Sequence, residues 1–186
     1  MKSISIISAS IRNGRNSHRV SLYLKKFLEE KHQITVSIID LKELDFPLFE
    51  ERLKLIESPT SAMLALADEI IKADGIIVVT PEYNGGYPAS LKNVIDLLYA
   101  EWKRKPIGIA TVSAGTFGGS QVITSLQFSL WKIGALVVPA MFPVATVEKT
   151  FDEHGKPSDE VSTDKKATAF INELIWWIDA KQKMEG

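Results

Sequence analysis

The feature of this sequence that most constrains its fold is the alternation of short apolar runs with longer segments of helical period. The run Gly-Ile-Ile-Val-Val-Thr at residues 75–80 is continuous, rich in β-branched side chains, and followed at once by a proline. Such runs are typical of strands that are covered on both faces, as in parallel sheets whose strands are joined by helices. The pattern therefore predicts an α/β protein.

The elements can be placed along the chain from the same pattern. Strands are predicted at residues 2–9, 34–40, 75–80, 107–113 and 136–144. Helices are predicted at residues 16–31, 61–73, 89–102 and 120–133, with a final helix after a polar loop at 146–162. Residues 41–59 are expected to form a surface connection with at most a short helix. Because Pro139 and Pro143 cannot donate to a ladder, the last strand is expected at an edge of the sheet or with a bulge, rather than at the centre.

Composition limits the chemistry that the chain can perform alone. Its 186 residues suit one domain over 1–186, and a formal net charge of −1 predicts neither a nucleic-acid partner nor a membrane partner. There is no cysteine, which excludes disulfides, thiolate nucleophiles and cysteine-held clusters, so any redox chemistry needs a bound cofactor. With no apolar leader, the expected location is cytoplasmic. The basic run at 103–105 is interpreted as a solvated helix end.

Ligands of open parallel sheets lie beyond the carboxyl ends of the strands. The loop after the first predicted strand carries Ser10, Arg12, Asn16 and Ser17 and enters a helix N-terminus, where anions are favoured. It could cradle a phosphate, although Asn16 or Ser17 could equally be a simple helix cap. The loop contains neither a G-x-G-x-x-G nor a P-loop pattern, which disfavours a Rossmann dehydrogenase and an ATPase.

The loop after the third strand is the strongest signal in the sequence. Residues 80–90 contain two prolines and two glycines, which indicates a fixed, tight backbone. Tyr83 is expected to lie against an aromatic heterocycle while amides between Glu82 and Asn84 meet its polar edge. The alternative is simple turn chemistry. A third loop, at 113–120, contains Ser113 and Gly115 and could either follow a ligand closely or serve only as a flexible helix entry.

These loops resemble those of one known family, the NADPH-dependent FMN reductases, which include bacterial chromate, quinone and azo-dye reductases. The resemblance rests on Pro-Glu-Tyr-Asn at 81–84 and Leu-Lys-Asn-Val-Ile-Asp at 91–96. Ala-Ser-Ile-Arg at 9–12 is similar to the family's Gly-Ser-x-Arg, and residues 113–119 match Ser-x-Gly-x-x-Gly-Gly. It implies a flavodoxin-like three-layer fold with a five-stranded parallel sheet of order 2-1-3-4-5 and helices on both faces.

The resemblance also implies a cofactor and its ligands. FMN is expected to have its phosphate at Ser10, Arg12, Asn16 and Ser17, its isoalloxazine at Pro81, Glu82, Tyr83 and Asn84, and its other edge at Ser113 and Gly115. NADPH or NADH would be the co-substrate, and the acceptor a small molecule such as a flavin, quinone, azo compound or metal oxyanion. Gln121 stands where many members carry an arginine, so the choice between NADPH and NADH stays open. No catalytic side chain is expected, because the flavin carries the chemistry.

Other interpretations of the sequence remain. The chain could be a non-enzymatic FMN electron carrier or redox sensor, or a flavodoxin-like module without flavin. The three histidines lack ligand spacing and are expected at the surface, so no metal site is predicted. The helix at 89–102 ends in Leu97, Leu98, Tyr99 and Trp102, which are expected to expose apolar surface and to favour a homodimer or homotetramer.

Overall fold

Five buried, mostly β-branched strands form one parallel sheet in the order β2-β1-β3-β4-β5 in a computed structural model that describes residues 2–185. The strands are β1 (Ser3–Ser8), β2 (Thr35–Asp40), β3 (Gly75–Pro81), β4 (Pro106–Val112) and β5 (Leu136–Val144). The helices are α1 (Ser17–His32), α2 (Leu41–Leu44), α3 (Ser61–Lys72), α4 (Ala89–Leu97), α5 (Ser120–Lys132), α6 (Val147–Thr150) and α7 (Glu160–Glu185). The predicted flavodoxin-like order of strands is confirmed.

Helices cover both faces of this sheet, which explains why its strands are continuously apolar. Successive side chains of a strand point to opposite faces. Ile6 and Val79 pack with α1 and α7, whereas Ile7 and Val78 pack with α3, α4 and α5. Two hydrophobic cores therefore hold three layers together, and the carboxyl ends of β1, β3 and β4 meet at one edge.

The last strand lies at an edge of the sheet, as its prolines predict. The pairing of β5 with β4 shifts register between Ile107 and Ile109, and Pro139 within β5 is exposed. The other edge is β2. An outermost strand is paired on one side only, so proline, which has no N–H group to donate, is tolerated there.

The prediction of one long helix at 89–102, with an exposed apolar end, is wrong. Helix α4 ends at Leu97, and a single 3-10 turn follows at Ala100–Trp102. Leu97, Leu98 and Trp102 are buried in the core on the α3 side of the sheet, and only Tyr99 is exposed. These residues therefore supply packing within the chain rather than a surface for association.

The basic run at 103–105 also differs from its interpretation as a solvated helix end. Lys105 is only 4% exposed, and its Nζ donates to the carbonyl oxygens of Ile71, at 3.0 Å, and Ala73. Burial, together with the nearby Lys181, lowers the pKa of Lys105 from 10.5 to about 8. Lys105 thus caps the carboxyl end of α3, at the amino edge of the sheet.

Helix α7 is long, but it carries many charged side chains. Within residues 2–185, every helix is either too short or too polar to span a bilayer.

Candidate functional site

A cavity of about 580 Å³ opens at the carboxyl edge of the sheet, and we call it the rim cavity. Its walls are the loops that follow β1, β3 and β4, together with Val147 and Glu148 of α6. The structure brings nearly all of the predicted site residues to this cavity. These are Ser10, Arg12, Asn16, Ser17, Pro81, Glu82, Tyr83, Ser113 and Gly115, and Asn84 alone among the predicted residues is missing.

The first two loops are joined by a pair of hydroxyl groups. Ser10 is almost fully buried, and its Oγ lies 2.7 Å from the hydroxyl of Tyr83. The backbone amide of Arg12 also faces Ser10 Oγ, at 3.4 Å. Ser90 Oγ donates to the carbonyl oxygen of Ala9 at 2.7 Å, so the start of the first loop is held from a second side.

The polar groups at the N-terminus of α1 are not used as helix caps. Asn16 has helical backbone angles, and its Nδ2 donates to Glu148 Oε1 at 2.8 Å instead of capping. Ser17 is 3% exposed, and its Oγ has no hydrogen-bond partner among residues 2–185. The first turn of α1 has no acidic residue. The simple-cap interpretation therefore fails, and Ser17, with its unused hydroxyl, lines the cavity at the N-terminus of the helix.

The two arginines of the first loop have different surroundings. Arg12 is exposed, its guanidinium carbon lies 5.5 Å from the centre of the Tyr83 ring, and no carboxylate in the described part of the chain pairs with it. Arg15, which the sequence analysis did not single out, forms an ion pair with Asp40 at the end of β2. Arg12 is therefore the cation that remains available to a ligand.

The second loop is a tight hairpin. Tyr83 N–H donates to the carbonyl oxygen of Gly86 at 2.8 Å, and Gly86 N–H donates back to Tyr83 at 3.0 Å. Between them, Asn84 and Gly85 have φ angles of +52° and +79°, which is the signature of a type I′ turn and explains the Asn-Gly pair. Asn84 is not among the residues that line the cavity, and the Tyr83 amide is already bonded to Gly86. The expectation that the amides between Glu82 and Asn84 meet a ligand edge is therefore wrong for Tyr83.

Glu82 connects the second loop to the third. Its Oε2 accepts from the backbone amides of Gln121, at 3.0 Å, and Val122, at 3.3 Å. These amides lie in the first turn of α5, where they have no partner within the helix and where a negative charge is favoured. The carboxylate thus has a structural role and is not free to act as an acid or base.

The third loop turns sharply against the end of β4. Gly119 has a φ of +73°, and a Cβ atom there would lie 3.1 Å from the Cβ of Thr111, so glycine suits both the angle and the space. Ser113 Oγ donates to the Gly115 carbonyl at 2.9 Å, which closes the turn. Phe117 lies at the mouth of the cavity with 84% of its surface exposed.

Sequence reasoning missed several residues of this region, and only some of them had a signal. Asp40 ends the strand next to β1, so its nearness to the first loop could have been found from the strand order. Phe117 is an aromatic residue in a glycine-rich loop. Arg15 and Glu148 had no distinguishing pattern, because their partners are distant in sequence or on another loop.

The rim cavity suits a phosphorylated aromatic ligand. One end offers the Arg12 cation, the unused Ser17 hydroxyl and a helix N-terminus, which together favour a phosphate. The other end is lined by the second and third loops. The volume lies within the usual range of small-molecule sites. Within residues 2–185 we find no group of three acidic or histidine side chains that could hold a metal ion.

Comparison with known proteins agrees with this geometry. The sequence profile of the family described as NADPH-dependent FMN reductase matches residues 2–149. An NAD(P)H-dependent FMN reductase of Saccharomyces cerevisiae is 34% identical over 160 residues, which cover 77% of this chain and 83% of the yeast protein. A quinone reductase of Pseudomonas putida is 26% identical over 183 residues, which cover 95% of this chain and 94% of that protein.

A solved structure confirms the fold independently. The flavoenzyme NAD(P)H:(acceptor) oxidoreductase FerB from Paracoccus denitrificans superposes with a TM-score of 0.78 at 24% identity, over 97% of this chain and 98% of that one. At this identity, the likeness concerns the arrangement of the helices and strands.

Proposed function

This chain belongs to the NADPH-dependent FMN reductase family, and from that premise we propose that it is an FMN-dependent NAD(P)H oxidoreductase whose flavin lies in the rim cavity. The observation that carries the proposal is the phosphate end of that cavity. Within residues 2–185, a buried serine hydroxyl without a partner, an arginine without a carboxylate and the N-terminus of α1 lie together there. Buried polar groups are normally paired, so this arrangement favours a ligand that supplies the missing acceptors.

In the proposed complex each loop has a distinct task. Ser10, Arg12, Asn16 and Ser17 hold the phosphate, while Pro81, Glu82 and Tyr83 border the ring system and Ser113 and Gly115 its far edge. Asn84 contributes through the turn that it forms rather than through contact. Because Tyr83 hydrogen-bonds to Ser10, the phosphate end and the ring end are fixed relative to each other.

The side chains of the cavity bind and orient rather than transfer protons. When bound, FMN supplies the redox chemistry, taking hydride from a nicotinamide and passing electrons to a second acceptor. Glu82 lines the ring end of the cavity, and its carboxylate already accepts hydrogen bonds from two backbone amides. The catalytic contribution of the chain is therefore positioning, with no general acid or base needed.

The acceptor is a small molecule, and among flavins, quinones, azo compounds and metal oxyanions we favour quinones. Curated relatives named quinone reductases support this choice. The exposed ring of Phe117 at the mouth of the cavity would offer a planar apolar surface to such a molecule.

We also propose that the chain is one flavodoxin-like domain that acts in the cytoplasm as a homodimer or homotetramer. Both cores share a single sheet, which supports one domain.

Leu97, Leu98 and Trp102 are buried within the chain, so they do not form a surface for association. Support comes instead from Phe128 and Trp131, which lie on α5 with both rings exposed and 5.9 Å apart. Light scattering at micromolar concentration should show more than a monomer, and a monomer would refute this part.

The decisive experiment is an anaerobic half-reaction. The FMN-loaded protein should be bleached rapidly by NADPH or NADH, and a quinone should restore the yellow colour. Slow bleaching with tight flavin binding would indicate an electron carrier instead. A protein that stays colourless after incubation with FMN would overturn the proposal.

A further inference from the structure

A buried ion pair lies directly beneath the first loop of the rim cavity. The Arg15 guanidinium faces the Asp40 carboxylate with two nitrogens on two oxygens, and the two side chains are 13% and 14% exposed. Arg15 also donates to the carbonyl oxygen of Ser10, at 3.0 Å. Asp40 pairs in register with Ser8 at the end of β1, so the pair connects the loop to the edge of the sheet.

Both members of this pair are fully engaged. Asp40 accepts a second hydrogen bond from the Lys42 amide at 3.0 Å, and its other oxygen lies 3.7 Å from Nδ1 of His18. Burial acts to raise the pKa of Asp40, but the hydrogen bonds from Arg15 and Lys42 outweigh it and hold the pKa below its usual value. The carboxylate therefore stays ionised, and the Arg15 guanidinium is held against it although Arg15 also lines the rim cavity.

The loop above the pair has few other attachments in its middle. Residues 11–14 are exposed, and Gly14 has a φ of +65° with nothing within 4 Å of the position of a Cβ atom. The loop is held by the pair, by the Ser10–Tyr83 hydrogen bond and, at its exposed middle, by a bond of 3.1 Å from Lys42 Nζ to Asn13 Oδ1. A site binds more tightly when its loop is already held in the bound shape.

We propose that Arg15 and Asp40 are positioning residues that hold the phosphate-binding loop in place, so that the chain distinguishes FMN from flavins without a phosphate. This inference rests on the proposed function. It separates two roles that arginines of one loop can have: Arg12 touches the phosphate, and Arg15 fixes the backbone from which Ser10 and Arg12 act.

The competing explanation is that Arg15 itself turns to the phosphate when the ligand binds. The two explanations differ in what Asp40→Asn should do. If the pair positions the loop, losing the carboxylate charge loosens the loop and weakens FMN binding. If Arg15 is a direct ligand, the same change releases it from Asp40 and strengthens FMN binding.

The test titrates FMN and riboflavin into apoprotein and follows quenching of flavin fluorescence. Asp40→Asn and Arg15→Met should each weaken FMN binding about tenfold or more, as expected when a charge-assisted contact is lost. The double variant should be no worse than either single variant, because both remove the same element. Riboflavin affinity should not change, and neither should kcat at saturating FMN. Asp68→Asn, which breaks an exposed ion pair with Lys72 on α3, is the matched control and should leave both flavins unaffected.

Other outcomes overturn the inference. Tighter FMN binding by Asp40→Asn would make Arg15 a direct ligand, and equal losses for FMN and riboflavin, or no loss at all, would remove the positioning role. Should these variants fail to fold, Arg15→Lys is the alternative, because it keeps the charge but loses the bidentate geometry. It should weaken FMN binding and leave riboflavin binding unchanged. A wild-type protein that binds neither flavin would contradict the proposed function instead.

Discussion

The two edges of the sheet differ in how their charged side chains are paired within residues 2–185. At the amino edge, the buried Lys105 donates to two carbonyl oxygens, and Asp74 accepts from the Ser3 amide at 2.7 Å and from Gln182 at 3.0 Å. At the carboxyl edge, Arg12 has no carboxylate partner and Ser17 Oγ has no partner within residues 2–185.

The difference distinguishes groups that support folding from groups that serve a ligand. A buried polar group without a partner costs stability, so a chain keeps one where another requirement outweighs the cost. Lys105 is paired within the chain at the amino edge, whereas we propose that Arg12 and Ser17 at the carboxyl edge serve FMN. Substitutions at the two edges should therefore affect different measurements.

The largest effect is expected at Arg12. Arg12→Gln should weaken FMN binding roughly 30- to 100-fold, because it removes a charge-assisted hydrogen bond to the phosphate. The free energy of unfolding of the apoprotein should stay within about 0.5 kcal/mol of wild type, because the side chain is exposed. Isothermal titration calorimetry and urea unfolding measure the two quantities. Unchanged affinity for FMN would remove the distinction between the two edges.

The free energy of unfolding should change with pH in a way that reveals the buried Lys105. Its folded-state pKa of about 8 lies below the ordinary value of 10.5, so the unfolded chain binds more protons between these values and stability rises with pH. The gain should be about 1.5 kcal/mol between about pH 8 and 9.5 in the wild type.

Lys105→Met should lose this rise while keeping the affinity for FMN. Because burial raises the pKa of Tyr23 and that tyrosine is present in both proteins, urea unfolding of the two over the same pH range isolates the lysine. Parallel curves for the two proteins would contradict a desolvated lysine at the amino edge.

Two serines of α1 provide a matched pair. Ser17 and Ser21 each have a buried hydroxyl without a partner in the described chain, but only Ser17 lines the rim cavity. Ser17→Ala should weaken FMN binding about fivefold, as expected for one lost hydrogen bond, and Ser21→Ala should not change it. Neither substitution should lower the stability of the apoprotein. Equal effects of the two on FMN binding would argue against a phosphate at the start of α1.

The smallest effect is expected at Glu148, an exposed carboxylate that lines the rim cavity beside Asn16. Glu148→Gln keeps a side-chain oxygen for Asn16 but removes a negative charge beside the ligand. FMN binding should tighten about threefold at low salt, and the gain should shrink as salt screens the repulsion. Glu153→Gln, an exposed change outside the cavity, is the control. Weaker binding by Glu148→Gln would mean that the carboxylate supports the site.

How much the sequence could reveal depended on whether a feature was local. The β-branched runs predicted the strands, and Pro139 predicted the edge, because both signals act through their own backbone. The helix at 89–102 was predicted too long, since Leu97, Leu98 and Trp102 are buried by a turn of the chain that periodicity cannot detect. The role of Lys105 was hidden for the same reason, because its partners lie in α3 and just beyond it.

The candidate site followed the same rule. The residues of the rim cavity were found because each loop follows a strand, and strand ends of a parallel sheet meet at one edge. Their pairings were not foreseeable: Tyr83 with Ser10, Glu82 with the α5 amides, and Arg15 with Asp40 all depend on side-chain geometry between loops. Asn84 shows the converse, since a residue in the right motif serves the turn and not the cavity.

The central claim is tested most directly by a crystal structure of the protein grown with excess FMN. We predict that the phosphate will lie within hydrogen-bond distance of Ser10, Arg12 and Ser17, with the ring system between the second and third loops. An empty rim cavity, or a flavin bound with its phosphate turned toward solvent, would contradict the account.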